Sequence, residues 1–126
     1  MTIAFTVPGR PVAKNRALRF AGGRSYRTAE SRAYEAEVAL RARQAMAGRA
    51  PLAGDVEVWM LCSLPDQRWM PDADGIAKGP LDGMRGIVYR DDRQVVRLVV
   101  DREIARAVAP YLWIEVKPVK RGDGVA

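Results

Sequence analysis

The sequence predicts an α+β fold: one small domain in which about four strands form a sheet and two main helices pack against it. Three observations lead there. A length of 126 residues suits a single domain, and 48% hydrophobic content is enough to fill one core. Apolar residues alternate with period 2 in several separated stretches. Between the first two of these lies a long stretch with helical periodicity and helix end signals on both sides. No internal repeat, low-complexity tract or linker divides the chain, so residues 1–126 read as one domain.

Ile3, Phe5 and Val7 alternate with Thr2, Ala4 and Thr6, a strand pattern that Pro8 ends. Pro8, Gly9, Pro11, Gly22 and Gly23 break the next stretch into turns. Arg10, Lys14, Arg16, Arg19, Arg24 and Arg27 all precede the first acidic residue, giving a basic loop or hairpin in which Phe20 and Tyr26 are available for stacking or packing. Thr28 fits the N-cap of a helix running to about Ala47, with Glu30, Glu35 and Glu37 toward its positive end, Arg41 and Arg43 toward its negative end, and Gly48 following. Its apolar stripe runs through Tyr34, Val38, Ala42 and Ala45 with Met46 beside it, a narrow face of small residues suited to lie on a sheet.

Val56, Val58, Met60, Cys62 and Leu64 alternate with Glu57, Trp59, Leu61 and Ser63, so both faces are fairly apolar, as in a central strand, and Pro65 closes it. A weaker helix is expected over residues 74–85, against the preferences of Gly75, Gly79, Pro80 and Gly83; Pro80 also removes one interior hydrogen bond. Residues 95–100 and 111–119 read as two further strands, with a short helix or turn at 102–108 between them. The terminal RGDGVA reads as frayed.

The charge is uneven. Residues 1–49 carry ten Arg or Lys against three Glu, whereas residues 50–126 carry eleven against twelve acids, for a net charge of +6. That balance points to a polyanionic partner, and the lack of a long apolar run favours nucleic acid over membrane. Cys62 is the only cysteine and there is no histidine, which excludes an intramolecular disulfide, a cysteine-based zinc site and any Ser–His or Cys–His couple. A metal in this chain is therefore held by oxygen. The opening MTIAFTVPGRP lacks the charged and apolar regions of a secretory signal, so a cytoplasmic location is expected.

Inside the acid-rich second half, PDADGIAKGPLDGMRGIVYRDDRQVV holds a D-x-D pair, a lysine and a second acidic pair. Carboxylates packed this closely raise one another's pKa unless a cation sits among them, so the cluster suits Mg²⁺ held against a phosphate. Asp72 and Asp74 share a face only if their segment is extended, which Pro71 favours for the residue before it; Asp74 then suits the cap of the following helix. Lys78 and Asp82 follow at four-residue steps. They form either a solvated ion-pair ladder or an ammonium placed beside a metal-bound phosphate. Asp91 and Asp92 lie where a turn becomes a strand, and either is expected to reach back to the D-x-D once the sheet assembles; otherwise they are a polar turn. Three aspartates and a metal-activated water suffice for phosphodiester hydrolysis.

This segment resembles the RusA family of Holliday junction resolvases, small homodimeric nucleases that cut four-way DNA junctions with Mg²⁺ or Mn²⁺. The family pattern is D-x-D-N, a lysine four residues on, L-D-A-L or L-D-G, then D-D-x-Q-V, and VPGRPVAKNRALRF is similar to its opening. The resemblance implies a mixed sheet and a twofold dimer with two active sites on one basic face, making paired nicks in DNA recombination and repair. It implies catalytic roles for Asp72, Asp74, Asp92 and Lys78. The metal ligands would be the three aspartates, with Asp91 a further candidate and Asp82 matching an acidic position of open role. DNA contacts are expected from Lys14, Arg16, Arg19, Arg24 and Arg27, and from Arg68 and Arg85 flanking the acidic segment. The asparagine after the second aspartate is replaced by Gly75, which loosens the helix start. Two other readings keep their place: a non-catalytic basic module that binds nucleic acid, and a metal nuclease acting on flaps, forks or nicked duplex.

Overall fold

A computed structural model describes residues 1–12, 18–21, 24–68 and 70–120, of which 18–21 and 24–27 are described for the backbone alone. The chain runs β1 (Ile3–Pro8), β2 (Leu18–Ala21), β3 (Arg24–Arg27), α1 (Ala29–Met46), β4 (Val56–Leu64), α2 (Ala73–Met84), β5 (Val95–Ile104) and β6 (Tyr111–Pro118). β2 and β3 pair antiparallel, so of the expected loop or hairpin the structure takes the hairpin. The other strands form one four-stranded sheet in the order β1-β6-β4-β5. β6 runs antiparallel to β1 and β4, while β5 runs parallel to β4, so the sheet is mixed and the fold is α+β.

Alternation along the strands builds the core. Ile3 and Val7, Val58, Met60 and Cys62, and Leu112, Ile114 and Val116 are all buried on one face of the sheet. Against that face lie Tyr34, Val38, Ala42 and Met46 of α1 and Ile76, Ala77 and Met84 of α2. Each fully buried Val, Leu, Ile or Met among them contributes roughly 1.5–3 kcal/mol. The opposite face carries Thr6, Trp59, Leu61, Tyr111 and Trp113, all exposed or half-buried. Arg97 and Lys117 sit over the Trp59 ring at 4.9 and 5.6 Å from its centre, and Trp59 Nε1 donates to Glu57 at 3.0 Å.

α1 has the ends its sequence predicts: Thr28 Oγ1 accepts from Ser31 N at 3.2 Å, and the chain leaves through Ala47 at φ 50 and Gly48 at φ 81. Both residues take the left-handed conformation, so the stop is shared between the expected glycine and an alanine that adopts it at a cost. α2 forms despite its glycines and Pro80, because Gly75, Ile76, Ala77, Gly79, Pro80, Gly83 and Met84 are all buried and packing outweighs weak propensity. The sheet corrects one expectation. β5 continues to Ile104, past the expected end at residue 100 and into the stretch expected to be a short helix or turn, since pairing with β4 is maintained as far as Leu64↔Ile104. Residues 105–109 then turn back toward β6.

Candidate functional site

The acidic residues are presented by the β4–α2–β5 crossover. α2 leads from the end of β4 back to the start of β5, because β4 and β5 are parallel and adjacent. Asp72 is the N-cap of α2, at φ −66 and ψ 157, and makes no side-chain capping bond; its carboxylate is not used by the helix it begins. Asp74 lies in the first turn, so the capping position falls to Asp72 rather than to the expected Asp74. Both are exposed, as is Lys78 one turn further on. No ion pair joins Asp74 to Lys78 among the described residues, so the expected ladder does not use the lysine at that step.

Asp91 and Asp92 differ in employment. Asp91 caps a single 3-10 turn at Asp92–Gln94, its side chain accepting from Arg93 N at 2.9 Å. Asp92 instead faces the far end of α2, where Arg85 Nη1 lies 3.4 Å from its Oδ2. Arg85 is the C-cap of α2. The Tyr89 hydroxyl, which donates to Leu81 O at 2.6 Å, has its pKa pushed up by burial and then by the Asp92 charge, with Arg85 opposing.

Within one chain, then, Asp72 and Asp74 stand at the start of α2 and Asp92 at its end. Its 12 residues make a rod about 18 Å long at ~1.5 Å per residue. Among the described residues no three acidic, histidine or cysteine side chains come close enough to share a metal ion. The expected approach of Asp91 or Asp92 to the D-x-D does not occur inside a single copy. The cause is the crossover: a helix that returns antiparallel to its strands separates the end of one from the start of the next.

The D-x-D end is tied down from elsewhere. Arg10 donates to Arg68 O at 3.0 Å and to Asp66 Oδ1 at 3.2 Å. The Arg10 guanidinium holds the Asp66 carboxyl below its ordinary range, with the Arg68 amide assisting. Arg102 of β5 donates to Pro71 O at 3.2 Å. It also lines a cavity of about 380 Å³ with Gln67, Met70, Glu103 and Ile104. The Asp92 end is fixed by Gln94. Its Oε1 accepts from Arg90 N at 2.7 Å and Asp91 N at 3.0 Å, and its Nε2 donates to Leu52 O and Gly54 O at 2.8 Å each.

Of the expected DNA contacts, Arg68 and Arg85 are exposed beside the acidic residues. Lys14 and Arg16 lie outside the described residues, and Arg19, Arg24 and Arg27 belong to the β2–β3 hairpin, described for its backbone alone. Sequence reasoning counted Arg10 only among the basic residues of the N-terminal loop or hairpin and gave no functional role to Arg102 or Gln94. Gln94 was visible only as a letter of D-D-x-Q-V, and Arg102 read as part of a short helix or turn.

No curated protein matches the chain. The family described as Endodeoxyribonuclease RusA matches residues 8–117, a span that holds β2 through β5, both helices, the acidic positions and the basic hairpin. With nearly all of its length matched in this way, the chain belongs to the RusA family of endodeoxyribonucleases.

Proposed function

We propose that this protein is a metal-dependent endonuclease that resolves four-way DNA junctions by paired nicks in recombination and repair. The observation that carries the reading is the D-x-D at the head of α2, where the Asp72 and Asp74 carboxylates are exposed and Asp72 makes no capping bond. Oxygen donors of this kind suit Mg²⁺, with Mn²⁺ as a substitute, and the ion's contribution is to neutralise phosphate charge and activate water. Asp72 and Asp74 hold it, and Asp92 completes the set. Asp91 serves mainly as a cap. Lys78, one turn along the same helix, offers an ammonium to charge that develops on the phosphate. Arg68, Arg85 and the arginine-rich hairpin neutralise neighbouring phosphates. The net charge of +6 favours a setting beside nucleic acid.

The separation of Asp92 from the D-x-D favours a homodimer. A twofold axis that lays the start of α2 from one copy against the end of α2 from the other assembles the set twice, once on each side. The two sites then meet strands of like polarity in a junction. β5 offers material for such contact, as an edge strand with Val96, Leu98 and Ile104 exposed at 54%, 42% and 38%.

Asp72→Asn is the direct test. It removes a ligand and some repulsion of phosphate, so cleavage of a four-way junction should fall at least about 100-fold while binding without metal stays equal or tightens. Unchanged cutting would refute the assignment. Comparing a four-way junction with flaps, forks, nicked duplex and linear duplex at fixed salt separates a junction resolvase from a nuclease of other branched DNA, because phosphate contacts alone give affinity without preference for shape.

A further inference from the structure

Among its described residues the segment between Leu64 and Ala73 contains no helix or strand, so apart from the Met70 N–Gln67 O bond and the first turn of α2, the backbone before Asp72 is held by contacts from other elements. Pro71 fixes its own φ through its ring. The remaining soft dihedral there is the ψ of Pro71, which sets the direction of the Pro71 carbonyl and the plane of the peptide leading into Asp72. Arg102 Nη1 holds that carbonyl at 3.2 Å, from a strand 31 residues away in sequence. Upstream, Arg10 grips Arg68 O and Asp66 Oδ1, and that oxygen also accepts from Arg68 N at 2.9 Å. The chain entering α2 is thus held by one guanidinium near its middle and another at the peptide that aims Asp72.

We propose that Arg102 is a positioning residue for the Asp72–Asp74 pair: by fixing the Pro71 carbonyl it sets the direction of the Asp72 carboxylate, with Arg10 steadying the loop behind it. The inference rests on the metal-nuclease reading for its consequence and on the hydrogen bond for its geometry. Arg102 belongs to β5, whose pairing with β4 places it opposite Cys62. A rigid strand is a better platform for this task than the loop it restrains.

The test compares the full-length protein with Arg102→Ala and Arg102→Lys. Three quantities are read: binding of Mn²⁺ alone by calorimetry, hydrogen exchange of the peptide spanning residues 66–76, and junction affinity in EDTA. Arg102→Ala should weaken Mn²⁺ binding about three- to tenfold and speed exchange across residues 66–76, with EDTA affinity within about twofold of wild type. Arg102→Lys, still able to donate to Pro71 O, should recover most of both losses. Weakened junction affinity with unchanged Mn²⁺ binding would make Arg102 a phosphate contact and overturn the inference. A lower melting temperature with unchanged metal affinity and unchanged local exchange would overturn it too. If wild-type protein takes up no Mn²⁺, the metal reading falls, and exchange alone decides: unaltered rates in Arg102→Ala defeat the positioning role.

Discussion

Gln94 uses both ends of its amide, accepting from two turn amides and donating to two carbonyls about forty residues upstream. It is the joint that fixes the turn carrying Asp92 to the loop before β4. Gln94→Ala leaves four backbone groups to find other partners and should destabilise the protein by about 1–3 kcal/mol in urea denaturation. Junction cleavage should fall by more than the lost folded fraction, because Asp92 loses its support. Gln94→Glu retains the acceptor but loses the donor, so its cost should be of the same order. The residue scale also carries a pH dependence. Burial pushes the Cys62 thiol up to about 11, with Arg102 and Arg10 opposing, and burial raises the Tyr34 and Tyr89 hydroxyls as well. The folded chain keeps protons that the unfolded chain releases, so stability is complete below the thiol's unfolded value of about 8.5 and declines above it. The part due to Cys62 ends near 11. Melting temperatures measured from pH 8 upward should fall, and Cys62→Ala should flatten the first part of that fall.

At the scale of elements, two glycines of one helix make opposite predictions. A Cβ on Gly83 would lie 3.1 Å from Glu35 O and Val38 Cγ1 and 3.2 Å from Val38 Cβ, where α2 crosses α1. A Cβ on Gly79 meets nothing within 4 Å. Gly83→Ala should destabilise by about 1–3 kcal/mol through overpacking, and Gly79→Ala should stabilise by about 0.5–1 kcal/mol through helix propensity. Chemical denaturation of the two variants checks both signs. Sequence alone showed four helix-opposing residues in this segment and no means of ranking them, since the difference lies in a neighbour from another element. The strands and α1 were legible because alternation, capping and charge are local. The end of β5 was not: Arg102 looks like a turn residue until pairing with β4 is known. The acidic positions were legible as letters, but their separation along α2 was not, because it follows from the parallel order of β4 and β5.

For the whole molecule, that separation makes a dimer testable by mixing. Asp72→Asn and Asp92→Asn should each abolish cleavage alone. When subunits of the two variants are combined, a shared site leaves one centre intact and the other doubly altered, so nicking of one strand should return. If each centre were built within one chain, both would carry a lesion and the mixture would stay inactive. Sedimentation at micromolar concentration supplies the companion measurement, with a strict monomer counting against paired incision.

Cys62, the sole cysteine, is wholly enclosed between sheet and helices. A thiol introduced anywhere on the outside therefore becomes a unique handle for a maleimide dye, with no need to edit the natural sequence first. Fluorophores placed that way, one on the basic hairpin and one on an arm of the DNA, would report the distance between them once the DNA is bound.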